Sequence, residues 1–146
     1  MANKTKRVIH AGGIFPNPML NREGLCDSDT LPGNIGLFND KGRFTLSVDG
    51  KEQSILYVAN IDYLRCQTVD DVMKGGIKGY VIAIHPLAGM FLNVRAAAGT
   101  YRKGDPVIVA NGQITAAAGD DAPFAYIEED TDLTVTAGEL VRIVFK

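Results

Sequence analysis

Residues 106–116 read PVIVANGQITA, and this stretch decides the class of fold. The β-branched side chains on both sides of Asn111-Gly112 favour extended strands. Asn and Gly tolerate the positive φ angles of a two-residue turn, so this dipeptide is a strong short-range hairpin signal. The stretch therefore predicts a β-hairpin with strands at 106–110 and 113–116.

The same alternation of short strand and turn recurs along the chain. Residues 43–48, RFTLSV, alternate polar and apolar side chains with the period of a half-buried strand, and Asp49-Gly50 follows as a turn. The 16 glycines in 146 residues argue against a helical bundle, because glycine costs about 1 kcal/mol in a helix interior. The sequence predicts a mainly β fold, a small β-barrel or β-sandwich, with strands at 35–38, 43–48, 54–60, 79–84, 91–95, 106–110, 113–116, 124–127, 133–135 and 140–145.

One short helix is expected at residues 68–75. Thr68 can cap its first turn, Asp70 and Asp71 suit the positive end of the helix dipole, and Gly75 can end it. The predicted helix has barely two turns.

The first 33 residues predict an extended N-terminal arm, and residues 34–146 a single β domain. The arm has no sustained period, and the two prolines within residues 14–20, Pro16 and Pro18, cannot donate a backbone hydrogen bond. Its apolar side chains must pack on the body of the same chain or on a neighbour. The residues predicted to bind a partner are Ile14, Phe15, Pro16, Pro18, Met19 and Leu20.

Charge is distributed unevenly between the two ends. Residues 1–26 contain four Lys or Arg and one Glu, whereas residues 118–146 contain seven Asp or Glu and two Lys or Arg. Opposite signs favour head-to-tail contact between copies, or a basic arm on an acidic partner. Lys4, Lys6 and Arg7 are the predicted partner-binding charges.

Several function classes are not indicated. The 15 Lys and Arg against 17 Asp and Glu lack the basic excess of a general nucleic-acid binder. No apolar stretch is long enough to span a membrane, and two cysteines suit a reducing compartment rather than a disulfide framework. His10 and His85 form no metal-ligand pattern, and no nucleotide-binding or nucleophile motif is present. We expect no catalytic residue, no cofactor and no metal.

Residues 101–146 carry the most specific pattern of the sequence. Gly104-Asp105-Pro106-Val107 precedes the Asn111-Gly112 turn, and Gly138-Glu139-Leu140-Val141 begins the last strand. This order resembles the C-terminal half of bacteriophage capsid decoration (cement) proteins, over about a third of the chain. The long proline-containing arm and the segment at 70–74 depart from shorter members of that family.

The resemblance implies a structural virion protein, made in the host cytoplasm, that binds the outer surface of the phage head. Its partners would be the major capsid protein and, in a homotrimer at three-fold positions, itself. Another phage structural protein (tail-tube, tail-tip or head-completion), a small carbohydrate-binding module and a small β-fold hydrolase stay open as alternatives. We expect that deleting residues 1–20 leaves a folded body but removes binding to expanded capsids.

Overall fold

A computed structural model of the chain describes residues 5–16 and 21–146. Thirteen short strands and a 3-10 turn make up the regular structure of these residues, and the protein is mainly β, as the sequence predicts. The strands are β1 (His10–Gly13), β2 (Asn21–Leu25), β3 (Ile35–Phe38), β4 (Phe44–Leu46), β5 (Tyr57–Asn60), β6 (Tyr80–Ile84), β7 (Met90–Arg95), β8 (Gly99–Tyr101), β9 (Pro106–Ala110), β10 (Gln113–Ala116), β11 (Ala125–Ile127), β12 (Leu133–Val135) and β13 (Leu140–Val144).

The strands form two large antiparallel sheets and a small one. The six-stranded sheet has the order β1-β7-β13-β11-β9-β10, the five-stranded sheet β2-β6-β5-β3-β4, and the third pairs β12 with β8. The two larger sheets pack in a sandwich-like arrangement, and the fold is not a closed barrel. Of the two architectures that the sequence left open, the sandwich is therefore the one observed.

The hairpin predicted at 106–116 is present. Ala110 pairs with Gln113 across the turn, and β9 and β10 remain in register for four residue pairs. Asn111 has a φ of 50° and Gly112 a φ of 76°. Positive φ at both positions is the condition for the tight turn that the dipeptide predicts.

Two apolar cores lie on the two faces of the five-stranded sheet. Val58 and Ile84 contribute to the larger core, which the six-stranded sheet completes. Their neighbours Ala59 and Ala83 belong to a smaller core with Phe44. Because side chains alternate along a strand, these adjacent buried residues face opposite sides of the sheet.

Both large sheets curl at their ends. A single parallel bridge joins Cys26, just after β2, to Phe44 in β4, and a second joins Ala96, just after β7, to Ile114 in β10. The first bridge links the two outermost strands of the five-stranded sheet. The second links β10, at one end of the six-stranded order, to β7, which lies next to the strand at the other end.

The prediction of a helix at 68–75 is wrong. No α-helix occurs among the described residues, and the helical content is a 3-10 turn at Tyr63–Arg65. Instead, Met73 exchanges two backbone hydrogen bonds with Thr30, of 2.8 and 2.9 Å, and its side chain is buried. A two-turn helix is marginal in water, so the pairing with Thr30 and the burial of Met73 prevail over the local capping signals.

The described part of the N-terminal arm is extended and lies on the body of its own chain. β1 pairs with β7 at the edge of one large sheet, and β2 pairs with β6 at the edge of the other. Ile9 is fully buried in the larger core. The predictions for Lys4, Pro18, Met19 and Leu20 lie outside the described residues.

Candidate functional site

The predicted partner-binding residues Ile14 and Phe15 lie at the surface directly after β1. The backbone N–H of Ile14 donates a 2.9 Å hydrogen bond to Gly89 O, which holds this stretch beside the six-stranded sheet. The Phe15 side chain is nonetheless 64% exposed and packs edge-on against the His10 ring at 4.9 Å. Pro16 is half-buried. The backbone is therefore anchored while the apolar side chains remain available.

Phe15 lines a groove between the first strands of the two large sheets. We call this the apolar edge groove; its volume is about 250 Å³, and it is lined by His10, Phe15, Asn21, Asn60, Ile61, Asp62, Tyr63, Leu64 and Ile82. One wall comes from the end of β1 and the opposite wall from the 3-10 turn after β5. Two large sheets that meet at this edge thus leave an apolar surface uncovered.

The 3-10 turn presents the most exposed apolar side chain of the groove. Leu64 is 96% exposed, and Tyr63 beside it is more than half exposed. The Asp62 carboxylate accepts a 3.0 Å hydrogen bond from Leu64 N and caps the turn, and Gln67 Oε1 accepts one of 3.0 Å from Asp62 N. Partial burial raises the pKa of the Tyr63 hydroxyl, which stays protonated at neutral pH.

Sequence reasoning missed Tyr63 and Leu64. The signal that could have found them is an apolar pair directly after Asp62, a good capping residue, and outside any strand period. Large apolar side chains on a polar-capped turn are typical of a contact surface rather than of a core.

The predicted charge Lys6 is engaged within the chain. Its ammonium lies 2.8 Å from Glu129, and the two side chains are only 16% and 9% exposed. Arg7 donates a 3.3 Å hydrogen bond to the Lys6 carbonyl oxygen. The arm thus does bring a basic group onto the acidic C-terminal segment, residues 118–146, but onto that of its own chain.

Other acidic residues of that segment are also paired internally. Lys103 contacts Glu128 at 2.6 Å, Arg102 contacts Asp132 at 2.9 Å, and Arg142 contacts Asp130 at 2.9 Å. With Glu129, four of the seven acidic residues at 118–146 therefore form ion pairs within the chain.

Cys26 and His85, the two groups of chemical interest described here, both have packing contacts within the fold. The Cys26 thiol donates to Met73 O at 3.6 Å, and its pKa is raised by burial, which keeps it protonated. His85 packs against Tyr57 at 5.7 Å. Within residues 5–16 and 21–146, no cluster of three or more His, Cys, Asp or Glu side chains could hold a metal ion.

A second cleft, of about 370 Å³, lies far along the chain from the predicted arm residues, between the loop at 49–51, β9 and residues 121–124. Its lining combines the charged residues Asp49, Lys51 and Asp121 with the apolar residues Ile108 and Phe124. Separately, none of the helical segments described here is long and apolar enough to cross a bilayer.

Neither a protein-family model nor a curated protein matches this sequence. By its fold and surface, the chain is a β-sandwich-like protein with an exposed apolar groove at one edge.

Proposed function

We propose that this chain is a phage head decoration protein, which stabilises the head by binding the outer surface of the major capsid protein lattice. In this proposal the protein is made in the host cytoplasm and bridges capsid subunits at three-fold positions as a homotrimer. The pattern of residues 101–146 led to this class of protein, and the fold is compatible with it.

The apolar edge groove is the observation that carries the proposal. Contiguous exposed apolar surface marks an interaction site, and here the exposed side chains of Phe15, Tyr63 and Leu64 line the same groove. Burying one such side chain against a partner stabilises the complex by about 1.5 to 3 kcal/mol. In this proposal, an apolar ridge on the capsid surface fills the groove.

Many copies on one shell make modest contacts sufficient. A trimer that engages several capsid subunits at once gains avidity, because the second and third contacts form at high effective concentration. The ordered backbone of the groove contributes as well, since the hydrogen bonds of Ile14 and Leu64 fix it before binding.

The test is co-sedimentation of purified protein with expanded heads assembled without it. Phe15→Ser should lower the apparent affinity about 10- to 100-fold, because the burial of the phenyl group is lost. Val48→Ser is the matched control: Val48 is 68% exposed and Phe15 64%, and Val48 lies in the loop after β4, outside the groove.

Both variants should unfold at the same temperature as the wild-type protein, since both side chains are largely exposed. Equal loss of binding in the two variants would refute the role of the groove. Undiminished binding of a folded Phe15→Ser protein would do so too, and no binding of wild-type protein to heads would overturn the proposed function.

A further inference from the structure

Asn111-Gly112, the turn of the β9–β10 hairpin, is also a dipeptide that can react with itself. In this reaction the Gly112 nitrogen attacks Cγ of Asn111 and forms a C–N bond, while the side-chain nitrogen takes up the displaced proton and leaves as ammonia. Water then opens the resulting succinimide ring and gives aspartate or isoaspartate. Glycine in the second position favours the attack, because it has no side chain to hinder the approach. Residue 111 is therefore chemically suited to deamidation.

The folded chain holds the nitrogen on which this reaction depends. Gly112 is buried, and its backbone N–H donates a 2.7 Å hydrogen bond to Ser47 O. The Gly112 carbonyl oxygen accepts from Ile35 N at 2.9 Å and from Asn34 Nδ2 at 3.2 Å. A buried N–H that already has an acceptor loses its proton less readily and is not free to turn towards another carbon. The attack is therefore blocked while these contacts persist.

The backbone of Asn111 is held by the same segment as that of Gly112. Asn111 N donates to Val48 O at 2.8 Å, and its φ angle of 50° is the one that the turn needs. Asn111 is nevertheless exposed, so that water reaches it. Because one reacting residue is open to solvent and the other is buried, the contacts of the buried residue with Ser47 control the reaction.

We call residues 47–52, in the loop between β4 and β5, the turn clamp. Its carboxylate Glu52 accepts hydrogen bonds from Ser47 Oγ at 2.8 Å and from Val48 N at 2.7 Å. Ser47 Oγ in turn accepts a 2.9 Å bond from Gly50 N. Glu52 thus fixes the two residues whose carbonyl groups hold the Asn-Gly turn. No residue of the turn clamp belongs to either apolar core, so the clamp can be loosened without removing a core side chain.

We propose that Asn111 is a latent deamidation site, which the turn clamp closes and which opens when the clamp detaches from the hairpin. Opening a loop costs less free energy than global unfolding, so the clamp can detach while both large sheets stay folded. The rate at Asn111 is then the intrinsic rate multiplied by the fraction of time that the clamp is open. Isoaspartate adds a methylene group to the backbone and a negative charge, which disfavours renewed closure. The inference does not depend on binding to phage heads.

Mass spectrometry of protein incubated in mildly alkaline buffer measures the conversion of Asn111 to the acid. A synthetic peptide with the sequence of residues 106–116 gives the intrinsic rate, since it has no turn clamp. The folded wild-type protein should react about 100-fold or more slowly than this peptide. Equal rates in the peptide and in the folded protein would overturn the proposal.

The variant Ser47→Ala removes the hydroxyl that joins Glu52 and Gly50, and it should accelerate deamidation about tenfold or more over wild-type protein. Ile9→Ala is the matched control, because it weakens the larger core instead of the turn clamp. The two variants are compared at urea concentrations that give them the same free energy of unfolding. If global unfolding is what exposes the turn, both then react at the same rate, and that result would overturn the role of the clamp.

Amide hydrogen exchange tests the same opening in wild-type protein. Asn111 N and Gly112 N both donate to the turn clamp, so we expect the two amides to share one free energy of opening. This free energy should be smaller than that of Arg95 N, which donates to Gly33 O and belongs to a buried residue. If all three amides open with the same free energy, the clamp does not detach locally and the proposal is wrong, even where Ser47→Ala fails to fold.

Discussion

At the scale of single residues, Arg95 shows how a charged side chain can organise three loops. Its guanidinium is 2% exposed and donates to Pro32 O at 2.7 Å, to Gly138 O at 2.9 Å and to Val69 O. Burial lowers its pKa, which the charge of Asp70 partly opposes, and arginine remains protonated nevertheless. From the sequence Arg95 is simply the end of a strand, because its three partners are distant carbonyl groups.

Replacement of Arg95 by lysine should destabilise the fold. A lysine cannot reproduce the planar fork of donors, so buried carbonyl groups lose their partners, and we expect the free energy of unfolding to fall by about 2 to 4 kcal/mol. Urea denaturation measures the change. The exposed Arg102→Lys, whose partner is the surface residue Asp132, should shift it by less than about 0.5 kcal/mol; equal effects would contradict the role given to Arg95.

At the scale of secondary-structure elements, the sequence predicts those elements whose conformation is set by residues that are neighbours in sequence. The β9–β10 hairpin follows from Asn111-Gly112, since the turn needs only two residues with positive φ. The prediction of a helix at 68–75 is wrong because Met73 pairs with Thr30 instead. Strands β1 and β2 were not predicted, because each is stabilised by pairing with a strand that is distant in sequence. For the site, Phe15 was predicted from the sequence as a partner-binding residue, which stays a prediction. The groove that it lines also depends on Tyr63 and Leu64, which only the fold brings close to it.

The loop between β4 and β5 should respond to acid through Glu52. Its partial burial raises the pKa of the carboxyl, but hydrogen bonds from its own backbone N–H, from Ser47 Oγ and from Val48 N outweigh burial, and the pKa is lowered. A lowered carboxyl pKa stabilises the folded state above the unfolded-state pKa, and this contribution disappears as the pH falls through the folded-state value.

The variant Glu52→Gln should therefore melt below wild-type protein at pH 7, and the difference in Tm should shrink as the pH falls below about 4. Melting curves from pH 7 to pH 3 measure this. Asp40→Asn serves as the control, since Asp40 is exposed on the β3–β4 turn. A difference in Tm that stays constant over the whole range would contradict the assignment.

At the scale of the whole molecule, the N-terminal arm contributes to the core as well as to the surface. The sequence led us to expect that the body would fold without residues 1–20. The structure changes that expectation, because Ile9 is fully buried and β1 is a strand of the six-stranded sheet. Point substitutions at Phe15 are therefore a cleaner probe of binding than a deletion.

Ile9→Ala should lower the free energy of unfolding by about 2 to 5 kcal/mol, the cost of removing a buried aliphatic side chain and leaving a cavity. Urea denaturation is again the measurement. Val8→Ala, one residue earlier and 40% exposed, provides the control and should cost less than about 1 kcal/mol. If Ile9→Ala is no more costly than Val8→Ala, the arm is not part of the core.

The bridges that join strands within each large sheet affect how readily copies of the protein aggregate through their sheet edges. An open strand edge is a template for aggregation, yet residue 27 donates to Phe44 O beside β4, and residue 97 donates to Ile114 O beside β10. One backbone carbonyl at each of these two edges is therefore already bonded within the chain. A strand of another copy would have to displace these bonds to extend either sheet there, which disfavours edge-to-edge aggregation at these two strands.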